Sequence, residues 1–212
     1  MDDTLILGCG QAHKLELGFR RTGWVNKEIE ALASRDVLRD VRQVVLGNAT
    51  IARAAIEPPK NGRIHILTLP VDGNADWKAA VASVGPHTSP GWPLWSVDDQ
   101  YPAEGRTGFR EIVLVNFGAG SYTLLSVAMA WAKRRRLRRE TPRATFAVAK
   151  YRPFLYEELS LEGMGFISTI PCSFAGFEHI PCTWLYPARR HANLGRVEND
   201  WNDDYWFVFG RE

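Results

Sequence analysis

The chain has few of the features that assign a protein to a broad class at sight. Its 212 residues include three cysteines, an odd number without the spacing of a disulfide framework or a zinc site. Apolar runs are short: none approaches the roughly 18 residues of a membrane helix, and residues 5–7 are too brief a run for a signal peptide. We therefore expect a cytoplasmic protein with no membrane contact, while export by another route stays open.

Charge of one sign is also scarce. Lys and Arg number 26 against 24 Asp and Glu, so the net charge of +2 does not by itself indicate a nucleic-acid-binding protein. With 45% hydrophobic and 24% charged residues, the chain has the composition of a folded protein. Its length allows one well-packed core and a small additional module.

Signals of catalysis are weak. The five histidines fall in different predicted elements, and none has a serine or cysteine partner at a known motif spacing. The glycines of "GCGQAHKLELG" follow only a three-residue apolar run, unlike those of a phosphate-binding loop. Cys172 and Cys182 are more typical of small buried side chains than of a reactive pair. We expect no enzyme activity, no cofactor and no metal.

Tryptophan is nearly absent from the first 76 residues, where only Trp24 occurs. This change of composition predicts a helical N-terminal module over 1–57 and a second domain over 58–212. The polar stretch "EPPKNG" is the candidate linker between them.

Two short helices are predicted inside the N-terminal module. Asn26 and Ser34 are their predicted N-caps, and Gly47 with Asn48 is predicted to end the second helix. Two helices about a tight turn fit either a helical packing unit or a DNA-binding helix-turn-helix. We favour the packing unit.

The second domain begins with a strand and ends with several. Alternating patterns predict strands at 63–71 and 110–117. The first of these has apolar residues on both sides, which indicates a strand covered on both faces. Further strands are predicted within 164–170, 178–186, 192–197 and 205–210.

Three helices are predicted between these strands. One lies within 75–85, and a second within 121–137 carries an apolar stripe of Leu124, Leu125, Ala128 and Trp131. Thr141 and Pro142 are the predicted N-cap and first residue of the third, which runs to residue 151. Strands and helices in this order predict an α+β fold with a β-rich C-terminal half.

A basic run, "WAKRRRLRRETPR", closes the second of these helices. Its arginines at 134–139, together with the N-terminal helices, suggest an alternative function as a nucleic-acid-binding regulator. We favour a solvated helix end, because the helix dipole stabilises each cation there by about 0.3–1 kcal/mol.

An acidic stretch near the C-terminus suggests a further alternative, a calcium or sugar site. Its oxygen-bearing residues are Glu198, Asn199, Asp200, Asn202, Asp203 and Asp204. The tripeptide "WND" at 201–203 also resembles a calcium- and sugar-binding motif of C-type lectins, but the companion "EPN" is missing. We favour a polar turn before the last strand.

Four stretches together resemble a known family. They are "IHILTLPVD", "EIVLVNFGAGSYT", "AMAWAKRRRLRRETPRATFAVAKYRP" and "IPCTWLYPARRHANLGRVENDWNDDYWFVFGRE". They are similar to the variable proteins of diversity-generating retroelements, of the kind found in candidate-phylum bacteria. In that family a reverse transcriptase miscopies the adenines of a template repeat, and the product overwrites the 3′ end of the target gene.

This resemblance implies both a fold and a function. The fold is C-type-lectin-like, with paired first and last strands, two main helices and rewritten residues exposed on one face. The function is binding of a protein or other ligand at that diversified face. The resemblance implies no catalysis.

The resemblance also implies which tail residues vary. Adenine substitution in asparagine codons yields Phe, Tyr, His, Cys, Arg, Asn, Asp, Ser or Gly, but never Lys, Gln or Trp. After Lys150 the chain contains neither Lys nor Gln. The expected ligand-binding positions are Phe177, His179, Cys182, Tyr186, Arg189, His191, Asn193, Asn199, Asn202 and Asp204.

A second set of tail residues is expected to form the scaffold. Trp184 cannot arise by this substitution, so it is expected to belong to the scaffold or to mark a shifted register. The loop at Trp92–Trp95 is expected to join the binding face. The other expected scaffold residues are Ile180, Leu194, Val197, Trp201, Phe207 and Phe209.

Overall fold

The computed structural model describes residues 9–33, 37–46, 55–88, 93–118 and 122–211. The chain divides into two compact units, Met1–Ala55 and Ile56–Glu212. The predicted boundary after residue 57 lies close to this division.

The first unit contains three helices, α1 (Cys9–Arg21), α2 (Asn26–Ala33) and α3 (Val37–Val45). Asn26 is the first residue of α2 and not its N-cap, because the carbonyl of Val25 accepts from the N–H of Glu28. The Val25 N–H in turn donates to the Glu28 carboxylate at 3.0 Å, which is half of a capping box. The predicted cap Ser34 and the predicted stop at Gly47 and Asn48 lie outside the described residues.

The second unit is α+β, as predicted. Its helices are α4 (Trp77–Ala82), α5 (Leu125–Arg134), α6 (Pro142–Tyr151) and α7 (Leu155–Glu158), with short 3₁₀ turns at Pro93–Ser96 and Asp98–Gln100. Its strands are β1 (Arg63–Asp72), β2 (Thr107–Asn116), β3 (Leu137–Arg139), β4 (Met164–Ile167), β5 (Cys172–Phe174), β6 (Phe177–Tyr186), β7 (Arg189–Arg196) and β8 (Tyr205–Arg211). The short elements β3, β5 and α7 were not predicted, since three or four residues carry too little periodicity.

All eight strands join one sheet with the order β1-β2-β8-β4-β6-β5. Strand β3 adds to β8, and β7 adds to β6. The predicted pairing of first and last strands is wrong, because β2 lies between β1 and β8. Strand β2 pairs with β1 over ten positions, from Arg63↔Asn116 to Asp72↔Thr107, and offers its other edge to β8.

Side chains alternate between the two faces of this sheet and build two cores. On the first face, residues such as Leu114, Phe166 and Val208 pack with α4 and α6. On the second face, Val113 and Phe207 pack with α5 in a separate cluster. The predicted scaffold side chains Ile180, Trp201, Phe207 and Phe209 are all buried, and Leu194 and Val197 pack partly buried against the cores.

Two predictions about covered surfaces need correction. Strand β1 buries Leu67, Leu69 and Val71 on the first face, but Ile66 on the second face is 42% exposed. The second core reaches β1 at Ile64 and not at Ile66. In α5, Leu125, Ala128 and Trp131 are buried as predicted, whereas Leu124 precedes the helix and is exposed.

A buried ion network ties the loop before β2 to the junction of β3 and α6. The Arg110 guanidinium lies 2.7 Å from the Glu104 carboxylate and 3.2 Å from that of Glu140. Glu140 also contacts Arg138 at 2.6 Å, and the side chains of Arg110 and Glu140 are almost fully buried. Charges so deeply buried are tolerated because each has a partner of opposite sign.

Several cations of the predicted helix end therefore have structural contacts. Besides Arg138, the Arg135 Nε donates to the Glu57 carbonyl at 2.9 Å, and its guanidinium lies 4.2 Å from the Trp131 ring centroid. The Arg139 Nε donates to the Thr169 carbonyl at 2.7 Å. The side chains of Lys133, Arg134 and Arg136 are exposed.

The ion network predicts an unequal response to removal of two arginines. Arg110→Met should lower the free energy of unfolding by about 3–5 kcal/mol, because it leaves the Glu140 carboxylate with less compensation in the interior. Arg196→Met should cost at most about 1 kcal/mol, since its pair with Glu198 is largely exposed. Urea denaturation of both variants measures the difference, and equal losses would contradict a structural role for the network.

Candidate binding face

One region of the second sheet face lies beyond the part covered by α5. The antiparallel register of β6 and β7 sets Cys182 opposite Asn193, Trp184 opposite His191 and Tyr186 opposite Arg189. These six residues share one side of the sheet, since side chains alternate along each strand. We call this set the β6–β7 face.

A row of aromatic rings crosses this face. The Trp201 and Tyr205 centroids are 4.7 Å apart, those of Tyr205 and Trp184 are 4.3 Å apart, and those of Trp184 and Tyr186 are 5.7 Å apart. The first two pairs meet edge to face, whereas the last two rings are within 22° of parallel. Trp201 is buried and the other three rings are half-buried. We call these four residues the aromatic row.

Backbone hydrogen bonds hold the buried end of the row in place. The Thr123 N–H donates to the Trp201 carbonyl at 2.9 Å, and the Trp201 N–H donates to the Thr123 carbonyl at 3.2 Å. This isolated bridge joins the segment before α5 to the turn between β7 and β8. The turn is therefore fixed against the second core at Trp201.

Three glycines give the rings of the row their space. A methyl group on Gly165 would lie 2.7 Å from the Tyr205 ring, and one on Gly195 would lie 2.2 Å from the Trp201 ring. A methyl group on Gly163 would lie 2.2 Å from the Tyr186 ring. The rings therefore lie directly against the peptide backbone of β7 and of β4 with the residue before it.

The polar groups around the row include one carboxylate, two phenols and an amide, besides Arg189 and His191 on the facing strand. The Asn202 side-chain amide donates to the Asp204 carboxylate at 3.2 Å. Burial raises the pKa of the Tyr186 phenol, and the Asp204 carboxylate raises it further. Burial also raises the pKa of the Tyr205 phenol, with added effects from Cys182, Tyr186 and Asp204. Both phenols are therefore protonated at neutral pH.

The structure brings together seven of the ten expected positions. They occupy the β6–β7 face or the last three residues of the turn before β8: Cys182, Tyr186, Arg189, His191, Asn193, Asn202 and Asp204. Whether they contact a ligand stays a prediction.

The other three expected positions lie elsewhere. Phe177 and His179 are at the opposite end of β6, where alternation directs them to the first face. The Phe177 ring packs 4.3 Å from the Arg196 guanidinium, and the His179 ring meets Phe174 edge to face. Asn199 is exposed in the turn after β7. The structure does not join these three to the β6–β7 face.

Two residues of the face are less exposed than expected. Cys182 is 2% exposed and His191 is 9% exposed. Strand β6 has neighbours on both edges, and the Cys182 thiol donates to the Asn193 carbonyl at 3.6 Å. Burial raises the pKa of that thiol to about 12, so it stays protonated. Cys172 is likewise a buried free thiol, in agreement with the prediction for the two cysteines.

Two residues of the aromatic row, Trp184 and Tyr205, were not predicted to lie on the binding face. Because asparagine codons cannot yield Trp184, the codon argument predicts either a scaffold residue or a shifted register there, and the strand pattern identifies Tyr205 only as the start of the last strand. The missed signal was glycine at alternate positions of a strand, Gly163 and Gly165, since such glycines often mark close approach of another group. Trp95 packs half-buried against the first core, and Trp92 lies outside the described residues.

The acidic turn does not gather metal ligands. Within the described ranges, no three side chains of His, Cys, Asp or Glu lie close enough to hold a metal ion. The Glu198 carboxylate is paired instead with Arg196 at 3.0 Å.

Comparison with known proteins gives no relative: no family model, no curated protein and no solved structure matches this chain. Among the helices described here, none is both long and apolar enough to cross a bilayer.

The contact between Gly165 and Tyr205 predicts a strong coupling between these positions. Gly165→Ala should lower the free energy of unfolding by about 1–3 kcal/mol, because the new methyl group must displace the Tyr205 ring. In a Tyr205→Ala background the same change should cost much less. A double-mutant cycle from urea denaturation measures this coupling, and additive losses would contradict it.

His191 predicts a loss of stability in acid. Burial lowers its pKa to about 4, with Arg189 and His87 adding to the effect. Because the unfolded state binds a proton at a pKa of about 6.5, this contribution to stability is present above that pH and is lost as the pH falls towards 4.

The free energy of unfolding of the wild-type chain should therefore fall between pH 7 and pH 4.5 by about 2 kcal/mol more than that of His191→Gln. Thermal and urea denaturation at both pH values give this difference. The variant is the control for the carboxylates, which titrate in both proteins. Equal slopes would show that His191 is readily protonated in the folded state.

Proposed function

We propose that the second unit is the ligand-binding domain of a retroelement-diversified variable protein with a C-type-lectin-like fold. The observation that carries the proposal is the convergence of seven expected variable positions on one sheet face and on residues 202–204 at the end of the adjoining turn. The expected scaffold residues Ile180, Trp201, Phe207 and Phe209 are meanwhile buried. A binding surface on a self-supporting framework accounts for both facts.

The exposure of individual residues separates positions that can contact a ligand from positions that are buried in the face. Tyr186, Arg189, Asn193, Asn202 and Asp204 are exposed or half-buried, so a change of side chain there costs little core packing. Tyrosine and asparagine at such positions offer contact area and adaptable hydrogen bonds at low entropic cost, as they do in antibody paratopes. These five positions are the principal contacts in our proposal. Variation at Cys182 and His191 should be limited by their burial.

The chemistry of the face supports binding without catalysis. Its thiol and both phenols are held protonated by burial, and the pKa of His191 is far below neutrality. At neutral pH a nucleophilic thiol or phenol needs a lowered pKa, and a histidine general base needs a pKa near 7.

Sequencing the DNA around the gene tests the proposal. We expect a near-copy of the last stretch of the gene beside a reverse-transcriptase gene. The two copies should differ where the template has adenine, and the differences should fall in codons of the β6–β7 face and its turn. The codons of Ile180, Trp201, Phe207 and Phe209 are the internal control. Absence of the copy, or differences concentrated in those four codons, would contradict the proposal.

Regulation through nucleic acid remains the alternative. The exposed side chains of Lys133, Arg134 and Arg136 favour it, whereas the structural contacts of Arg135, Arg138 and Arg139 reduce the number of cations available. Salt-dependent DNA or RNA binding that is lost in a Lys133, Arg134 and Arg136 triple alanine variant would support the alternative.

A further inference from the structure

The aromatic row presents partly exposed rings to solvent beside a carboxylate. Trp184, Tyr186 and Tyr205 are each half-buried, and Trp184 and Tyr205 meet nearly at right angles. Rings in this arrangement offer both edges and faces on their exposed side to a group that docks against them. The face of an aromatic ring carries negative electrostatic potential and attracts a cation within about 6 Å.

The charges around the row add to this potential. Asp204 acts through space on both Tyr186 and Tyr205, and no ion pair joins it to any residue in the described ranges. Among the ionisable neighbours of Tyr205, only Asp204 is charged at neutral pH, because Cys182 and Tyr186 stay protonated. Arg189, a cation of the face, lies opposite Tyr186 in the strand register and forms no ion pair with Asp204 within the described ranges. The row is therefore an aromatic site beside a carboxylate that has no ion-pair partner in the part of the chain that the structure describes.

Asp204 differs in this respect from its neighbour in the same turn. The Glu198 carboxylate is 3.0 Å from the Arg196 guanidinium, and that guanidinium lies in turn over the Phe177 ring. The chain itself thus satisfies one acid of the turn with an arginine held between a carboxylate and an aromatic ring. The same combination of groups at Asp204 and the aromatic row is left for an external cation.

We propose that the aromatic row and Asp204 bind an arginine or lysine side chain of a protein partner. The rings would contact the cation and its aliphatic stem, and the Asp204 carboxylate would accept its hydrogen bonds. The proposal rests on the binding function proposed above and names the chemistry that this one member of the diversified family recognises. A different residue at position 204 would change the preferred partner.

The test compares two small probes that differ only in charge. The full chain is titrated with N-acetyl-arginine amide and with N-acetyl-citrulline amide, its neutral isostere, while the indole N–H signals are followed by NMR. A Trp184→Phe variant assigns the signal of Trp184. We expect this signal to shift saturably with the arginine probe, at least about tenfold more tightly than with the citrulline probe, as expected for loss of a charge-assisted contact.

Two isosteric variants locate the recognition. Asp204→Asn should weaken binding of the arginine probe about five- to tenfold, whereas Glu198→Gln, which removes an acid of the same turn, should leave binding unchanged. Equal affinity for the two probes, an unchanged affinity in Asp204→Asn, or no shift of the Trp184 signal would each overturn the proposal. Saturable shifts with neutral glycosides alone would also overturn it and would identify the row as a sugar platform.

The two proposals fail separately. A retroelement copy next to the gene supports a diversified face even if the arginine probe does not bind. Conversely, probe binding without such a copy leaves a fixed cation-recognition site on an undiversified domain.

Discussion

The pairing of β6 along both of its edges is the constraint on which the candidate face depends. Strand β7 pairs with it from His179 to Tyr186, and β4 and β5 pair with successive parts of its other edge. A slip of one residue in this register would exchange the two faces of the strand and send Trp184 and Tyr186 into the first core. The loop at residues 87–88 supports the far edge of β7, because the Arg190 and Ala192 N–H groups donate to His87 and Thr88. The register of the face is therefore set mainly by hydrogen bonds of the β6 and β7 backbone.

The glycines beside the aromatic row determine where its rings can lie. The rings of Tyr205 and Trp201 approach Gly165 and Gly195 so closely that any larger side chain at either glycine would collide with them. Burial of ring surface against peptide groups fixes the orientation of these side chains. The turn of residues 197–204 is consequently anchored at Trp201 and Tyr205, while Asn199, Asp200 and Asp204 between or beside the anchors remain exposed. Exposed polar residues on a fixed turn can change without loss of the anchors.

Much of the fold was predictable because long elements carry strong periodic patterns. The strands at β1, β2, β6 and β8 and the helix opened by Thr141 and Pro142 lie where alternation and capping place them. Strand order was not predictable in this way, since local patterns do not show that β2 separates β1 from β8. The exposure of Ile66 depends on how far a neighbouring helix extends over the sheet, which also has no local signal. Asn26 failed as a cap because Glu28 stabilises the helix start from inside, through the Val25 N–H.

The sequence predicts which residue types the candidate site contains, but not which of these residues lie together. Codon reasoning selects residue types, and it therefore grouped Phe177 and His179 with Tyr186 although strand alternation separates them. The same reasoning excluded Trp184, whose ring is the centre of the aromatic row. Register decides which side chains meet, and register follows from backbone pairing across residues distant in sequence.

Backbone pairing sets the shape of the face, so side chains that do not support this pairing or the core can vary. A side chain that contributes no core packing and no strand pairing can be replaced at a cost of a few tenths of a kcal/mol, typical of surface positions. Arg189 and Asp204 meet that condition, whereas Tyr186 stacks on Trp184, Cys182 contributes a buried contact to Asn193 and His191 is enclosed. The electrostatics of the row can thus be altered through a single residue, Asp204, while the rings that give the row its shape stay in place. A fixed aromatic platform with a changeable charge at its rim would allow one fold to select among partners by the sign of the side chain they present.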